Sequence, residues 1–435
     1  MHAPVAPIPA HSLLVFLLQL GLLLLLAHVF GRVAARLGMA AVVGELFVGV
    51  VLGPSFLAHV APGVHAWLFP ADPAQFHLLD AVGQVGVLLL VGLTGIYMNM
   101  GLIRRFGRNA AGISIGGLVV PLGFGIGLGY LLPSALIPTG VNPTVFALFM
   151  GVAMCVSAIP VIAKALLDLR MLHRDIGQLT LTAGVIDDAF GWFMLSIVSA
   201  LGIGVVTAGT VLSSLAHLLL VVIIAFTVGR LIVSGALRLA AKSSEAGPTV
   251  AIAIALILLS AAGTHALGLE AVLGAFVCGV LIGSAGRVNP ARMLSLRTVV
   301  LSGVAPIFFA SAGLRMDLTS LADPPVLLAG LAVLAIAILG KFLGVYAGAK
   351  LSGHTSWEAL ALGAGLNARG VIEIVVAMVG LRLGILTVEA YTIVVLVAIV
   401  TSLMAPPILR VAMARVKPTT EEKARESEYA SEAAF

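Results

Sequence analysis

Charge is what this chain has least of: Asp, Glu, Lys and Arg make up 10% of its 435 residues, against about a quarter in soluble domains. With 60% of the residues hydrophobic, a water-facing surface cannot be assembled, and a soluble globular fold is excluded. Cysteine is nearly absent. Cys155 and Cys278 both lie inside apolar runs, which excludes a disulfide framework and argues against redox chemistry. No Lys or Arg precedes the first apolar stretch, 13–30, whereas Arg32 and Arg36 follow it. A cleaved signal peptide has the opposite charge order, so this segment reads as a retained helix. Zinc-ligand spacings, phosphate-binding loops and nucleophile elbows are missing, and His265 with Glu270 lacks the further ligands of a metal site. Neither an enzyme nor a cofactor protein is expected. The net charge of +5 would suggest nucleic acid in a soluble protein, but here the basic residues first serve as topology markers, and no nucleic-acid partner is expected.

What the chain does have is long apolar runs. Each stretch of about 20 apolar residues can cross a bilayer as a helix whose backbone groups bond to one another. Gly, Pro and charge punctuate the sequence into spans near 12–30, 39–58, 79–99, 108–132, 142–166, 177–202, 208–235, 248–265, 269–286, 296–314, 325–349, 357–381 and 388–412. The expectation is an all-α polytopic membrane protein of about thirteen helices, with the bilayer as its solvent. An odd count puts the termini on opposite sides. Arg32, Arg36, Arg104, Arg105, Arg108, Lys164, Arg170, Arg174, Arg230, Arg238, Lys242, Arg287, Arg292, Arg297 and Lys350 share one side with the C-terminal group Arg410, Arg415, Lys417, Lys423 and Arg425. Only Arg315 and Arg382 fall on the other side. By the positive-inside rule the N-terminus is outside and the C-terminus cytoplasmic. Residues 1–416 form the membrane domain, and the charged segment 417–435 reads as a short disordered tail.

Thirteen spans divide as six, one and six, which gives the halves opposite orientation: a first repeat over 12–202, a linker helix over 208–235 and an inverted second repeat over 248–412. The pairing matches the fifth span with the twelfth. Both carry signs of interruption, Val156-Ser157-Ala158-Ile159-Pro160 in one and Gly365 with Asn367-Ala368-Arg369-Gly370 in the other. Pro160 has no amide to donate and its ring clashes with the carbonyl of Val156, so a break there frees polar backbone groups at membrane depth, where they can serve an ion.

Two adjacent carboxyls, Asp187 and Asp188, sit mid-way along the sixth span. An ionisable group at that depth costs about 3 kcal/mol on insertion scales and marks an ion or proton pathway. An ionised Asp can hold a proton or a small hard cation but not both, and that competition is the physical minimum for coupled exchange. Lys341, mid-way along the eleventh span, is the cation available to balance Asp187 or Asp188. Arg369 and Glu373, four apart on the twelfth span, can meet on one helix face and support the interrupted region. Glu45 lies among Gly44, Gly49 and Gly53 in the second span, where the glycine spacing points to helix packing or dimerisation.

These residues together resemble the cation/proton antiporter superfamily, in particular the bacterial branch of monovalent cation:proton antiporters that includes sodium/proton antiporters and potassium-efflux proteins. The resemblance rests on the run from Gly44 to Ser55, the Ser157–Pro160 break, Asp187-Asp188, Leu267-Gly268-Leu269 followed by Leu273-Gly274-Ala275-Phe276, Pro306-Ile307-Phe308-Phe309, Lys341 and Arg369-Gly370. It implies a homodimer in a bacterial cytoplasmic membrane, with a scaffold domain and a core domain in which two discontinuous helices cross. It further implies Asp188 as the essential carrier of Na+ (or K+, Li+) and H+, Asp187 as the partner of Lys341, and electrogenic exchange. Tyr97 and Asn99 stand where the family commonly has two acids, and no nucleotide gating within this polypeptide is expected.

The expected function is alternating-access exchange of a monovalent cation, Na+ foremost, for protons, with Ser157 adding a polar group to the aspartate site. An electroneutral K+/H+ antiporter or K+ efflux protein is the alternative within transport. An intramembrane aspartyl protease is a remote one, because such enzymes hold their two acids on different helices.

Overall fold

The computed structural model describes residues 8–98, 100–202, 208–243, 245–285, 290–419 and 421–422. Asn99, Arg287, Lys423, Arg425 and the remainder of the expected tail lie outside the described residues. Helices make up every regular element, and no strand occurs among the described residues. In chain order they are α1 (Ala10–Arg36), α2 (Ala41–Leu52), α3 (Pro73–Ile96), α4 (Met100–Leu131), α5 (Pro143–Cys155), α6 (Ile159–Asp168), α7 (Asp175–Gly202), α8 (Ala208–Ile224), α9 (Arg230–Ala240), α10 (Gly247–Ala266), α11 (Ala271–Ser284), α12 (Pro290–Val299), α13 (Ala305–Gly313), α14 (Pro324–Leu351), α15 (Ser356–Leu366), α16 (Val371–Arg382) and α17 (Val388–Met413), besides short turns. Single π-helical turns join α8 to α9 and α12 to α13.

Local chemistry starts several of these helices where the sequence suggests. Asp72 accepts the amide of Ala74 ahead of Pro73, Asn142 accepts that of Thr144 ahead of Pro143, and Thr355 with Glu358 forms a reciprocal capping box. Each satisfies amides that the first helical turn leaves without partners. The apolar surface is inside out relative to a soluble protein. On α1 the buried stripe is Val15, Gln19, Leu23, Ala27, Gly31 and Ala34, while Leu17 and Leu25 are exposed. Outward-facing leucine on a 27-residue helix about 40 Å long is what a lipid solvent requires.

Among the described residues, eleven helices are long and apolar enough to cross a bilayer, or twelve when α15 and α16, bent by 45° at their break, count as one span. The ninth expected segment, 269–286, is helical only over the 14 residues of α11, about 21 Å at 1.5 Å per residue. Apolar composition runs on through this region, but Gly268 closes α10 with a left-handed turn and helix resumes only after Glu270, so composition overstates the span.

The helices pack as two groups. One holds α1, α2, α3, α10, α11 and α13; the other holds α4 to α7 and α14 to α17. Glycine sets the closest approaches in both. A Cβ on Gly49 of α2 would overlap the carbonyl of Ala310 on α13, and one on Gly344 of α14 would overlap that of Gly116 on α4. In lipid, where apolar burial drives no helix association, such backbone contact and its dispersion supply the adhesion.

Arg315 and Arg382, the two basic residues set apart by topology, both form ion pairs. Arg315 reaches Asp80 of α3 at 2.6 Å and stacks 4.8 Å over Phe76, and Arg382 at the end of α16 reaches Glu270 before α11 at 2.7 Å. The start of the expected tail is held against the body. Arg174 donates to the carbonyl of Val416 and pairs with Glu422, whose carboxylate also accepts the amide of Asp175 at the start of α7.

Candidate functional site

The two interrupted helices meet each other. Between α5 and α6 the chain is non-helical at Val156, Ser157 and Ala158, and between α15 and α16 at Asn367 to Gly370. The amide of Ala158 donates to the carbonyl of Ala368 at 3.0 Å, joining the two extended stretches. Pro160 sits as the second residue of α6, where its missing amide leaves no bond unmade. The break falls just before the proline and begins at Val156, whose carbonyl the ring would strike in a continuous helix.

Breaking two helices at depth strands the last carbonyls of α5 and α15, and the site is built from what answers them. Lys341 of α14, fully buried, donates from Nζ to the carbonyl of Cys155 at 2.7 Å and pairs with Asp187 Oδ2 at 2.7 Å. Arg369, also fully buried, donates to the carbonyls of Met154 at 2.5 Å and Ala337 at 3.0 Å, and lies 3.4 Å from Glu373 Oε1. Ser402 donates to the carbonyl of Arg369. Ser157 Oγ is 2.7 Å from both the carbonyl of Leu366 and Asp187 Oδ2. Its one proton serves one of these acceptors at a time, so the carboxyl and the end of α15 compete for it. Cations thus face the negative helix C-termini, while Glu373 lies in the first turn of α16, where the helix end is positive.

Asp187 and Asp188 are adjacent on α7 and equally buried, yet their surroundings differ. Asp187 turns into the paired cluster. Asp188 makes no hydrogen bond to protein from either oxygen; the amide of Ile159, at the start of α6, faces it outside hydrogen-bond geometry. Asp188 instead borders a cavity of about 670 Å³ between the two helix groups. Leu181, Val185 and Asp188, spaced four and then three residues along α7, present one face to it, with Thr182 beside them. The opposite wall comes from α2, α3, α11 and α13. Exposed Tyr97 and Arg297 also line it, so the cavity reaches the surface at the Arg-rich ends of the helices.

The structure thus gathers Ser157, Asp187, Lys341 and Val156 on one side of the break crossing, with Pro160 and Asp188 on the cavity, and Arg369, Gly370 and Glu373 behind. Val156 packs against Gly191 of α7, so it supports the aspartate helix without presenting a polar group. Gly370 packs against Val161. Among the described residues no group of three or more His, Cys, Asp and Glu side chains is placed to hold a resident metal. Several polar residues here escape a full reading from sequence. Asn367, read from sequence as part of the second interruption, is wholly buried within it with neither side-chain amide atom bonded, and only the fold shows that it is enclosed. Thr182 could have been found from its place three residues before Val185, on the polar-poor helix face that the cavity meets. Glu45, read from sequence as part of a packing motif, has its Cγ near Gly31 of α1, the helix that Gly44 also packs on, and lines the cavity as well.

Comparison with known proteins agrees with this architecture. The model of the family "Sodium/hydrogen exchanger, transmembrane" matches residues 21–415. The Na(+)/H(+) antiporter NhaS4 of Synechocystis sp. is 30% identical over 404 residues, 92% of this chain and 97% of that protein. Cation/H(+) antiporter 18 of Arabidopsis thaliana is 29% identical over 95% of this chain, which spans only 50% of the plant protein's length. The solved sodium proton antiporter MjNhaP1 of Methanocaldococcus jannaschii shares the fold, with a TM-score of 0.68 over 93% of this chain and 99% of that one at 16% identity. From residue 21 to residue 415, this multi-pass membrane chain belongs to the sodium/hydrogen exchanger family.

Proposed function

We propose that the chain exchanges a monovalent cation, Na+ foremost, for protons by alternating access, and that Asp188 is the carrier. One observation supports this above the rest: a carboxyl fully buried at membrane depth, with no protein hydrogen bond on either oxygen, borders a cavity that reaches one face. A group so placed, with the amide of Ile159 as the facing backbone donor, is open to a proton, a cation or water. Asp187 is the paired neighbour. Its bond to Lys341 and its competition with Leu366 for the Ser157 proton connect occupancy of the aspartate site to both breaks. Cation entry beside Asp188 adds positive charge near Lys341, and release of the Lys341–Asp187 pair gives the proton a route out. Two acids with one lysine favour net charge movement, hence electrogenic exchange. The Glu373–Arg369 pair and Gly370 keep the second break open.

On this reading α4 to α7 and α14 to α17 form the moving core, related as the corresponding parts of two inverted repeats. The group containing α1 to α3 and α10 to α13 is the scaffold, through which two copies associate in a bacterial cytoplasmic membrane. The Arg-rich face is cytoplasmic and the described cavity opens inward.

Flux in proteoliposomes tests the proposal. A proton gradient should drive Na+ uptake that responds to an imposed membrane potential, and apparent Na+ affinity should fall as the pH is lowered. Asp188→Asn should abolish exchange while the purified protein remains folded and monodisperse. Retained exchange in that variant, or pH-independent affinity in the parent, would refute the scheme. K+ or Li+ replacing Na+ in the same assay sets selectivity.

A further inference from the structure

Glu45 has no part in the site as described. It sits on α2, one residue after Gly44 and four before Gly49, in a helix whose glycines seat against the backbones of α1 and α13. That seating fixes α2. The side chain is half-buried about one turn inside the spanning helix from its Arg-rich end, and neither a hydrogen bond nor an ion pair from it is found among the described residues. It lines the same cavity as Asp188, on the opposite wall, with Ala41 and Val42 of the same helix nearer the Arg-rich end. Arg297, over the ring of Tyr97 at 5.8 Å, lines the cavity too.

Among the described residues the charged lining of this path is therefore Glu45, Arg297 and Asp188. An arginine on the approach to a cation-binding carboxyl raises the local potential and repels the ion, and low-dielectric walls enlarge that effect. An acid on the same approach offsets it. An unpaired acid in a spanning helix is costly to keep unless it faces water and serves the path it faces.

We propose that Glu45 is a specificity-determining residue of the exchange, a fixed carboxylate that holds the monovalent cation transiently between the Arg-rich face and Asp188. Its place on the rigid wall, across from the carrier, makes it an entry site that loads Asp188 without itself moving between the faces. This inference rests on the exchange reading above.

The test is the initial exchange rate in oriented proteoliposomes as a function of Na+ presented to the Arg-rich face. Glu45→Gln should raise KM about three- to tenfold and leave kcat within about twofold. Glu45→Asp, keeping the charge, should restore KM, and Arg297→Gln should lower it. Added choline chloride, which screens the path, should narrow the gap between parent and Glu45→Gln. An unchanged KM in Glu45→Gln would overturn the proposal, as would a loss of thermal stability and kcat that Glu45→Asp shares, the mark of a packing role. If Glu45→Gln does not fold, an unmoved KM in Arg297→Gln overturns it alone. A parent protein without cation exchange would defeat the exchange reading itself, and this inference with it.

Discussion

Lys341 answers a carbonyl and a carboxylate with one ammonium. The Cys155 carbonyl is left open by the break after α5, and Asp187 is fully buried beside it. Removing one member of a buried pair strands the other charge, at a cost of about 3–5 kcal/mol. Asp188 has no hydrogen bond to lose. Lys341→Ala should therefore lower unfolding stability in detergent by several kcal/mol, whereas Asp188→Asn should leave it unchanged or raise it, although both abolish exchange. Equal destabilisation by the two variants would mean that Asp188 is part of the structural cluster. The sequence made the acids and the lysine visible because charge in an apolar run costs too much to be incidental. The division of labour between neighbours is partly legible: 100° per residue separates them, and the four- and three-residue steps from Leu181 to Val185 to Asp188 mark one face. Which face meets water is not legible, because that depends on helices distant in the chain. Glu45 shows the same limit, since glycine spacing reports a packing face and says nothing of the residue beside it.

At the scale of elements, the paired interruptions were readable from Pro160 and from the Asn367–Gly370 run, as both are poor helix formers in otherwise apolar segments. That they cross was implied by the family resemblance alone; that they join at Ala158 and Ala368 was not legible, because 210 positions of chain separate the partners. The short α11 was overstated for a related reason: hydropathy sees the residues beyond a helix end but not the turn that ends it. What holds the crossing in place is the contact of α4 with α14 at Gly116 and Gly344, only three residues from Lys341. Gly344→Val should push these helices apart, cost about 1–3 kcal/mol as overpacking does, and displace Lys341 enough to impair exchange. Gly21→Val on α1 is the control, since no heavy atom lies within 4 Å of a Cβ there. Thermal unfolding and flux of the two variants measure the difference; equal, small effects would show that the α4–α14 contact is loose.

At the scale of the molecule, a cavity reaching one face implies that the other face is closed, and the two isolated arginines lie where that closure would be. Positive charge at this end of the helices runs against the bias that gathers most of the basic residues at the other end, so its presence there calls for a local reason. Arg382 ends α16, a half of a broken helix in one group, and Glu270 precedes α11 in the other group. Theirs is an ion pair bridging the two groups across the face opposite the cavity mouth, and Arg315 adds a contact from the end of α13 to Met378 of α16. In an exchanger whose groups must part to expose Asp188 outward, such a pair has to break once per cycle. Its loss should shift the population toward the outward state without touching the carrier. Val185→Cys, on the cavity face one turn before Asp188, reports this through a membrane-impermeant maleimide, because the native Cys155 and Cys278 are buried. With the pair intact, labelling should come from the Arg-rich face. Adding Glu270→Gln should raise labelling from the opposite face severalfold, and the double exchange Glu270→Arg with Arg382→Glu should return it toward the starting level. Labelling that stays one-sided when the pair is removed would place the closure elsewhere, in the apolar contacts between the groups.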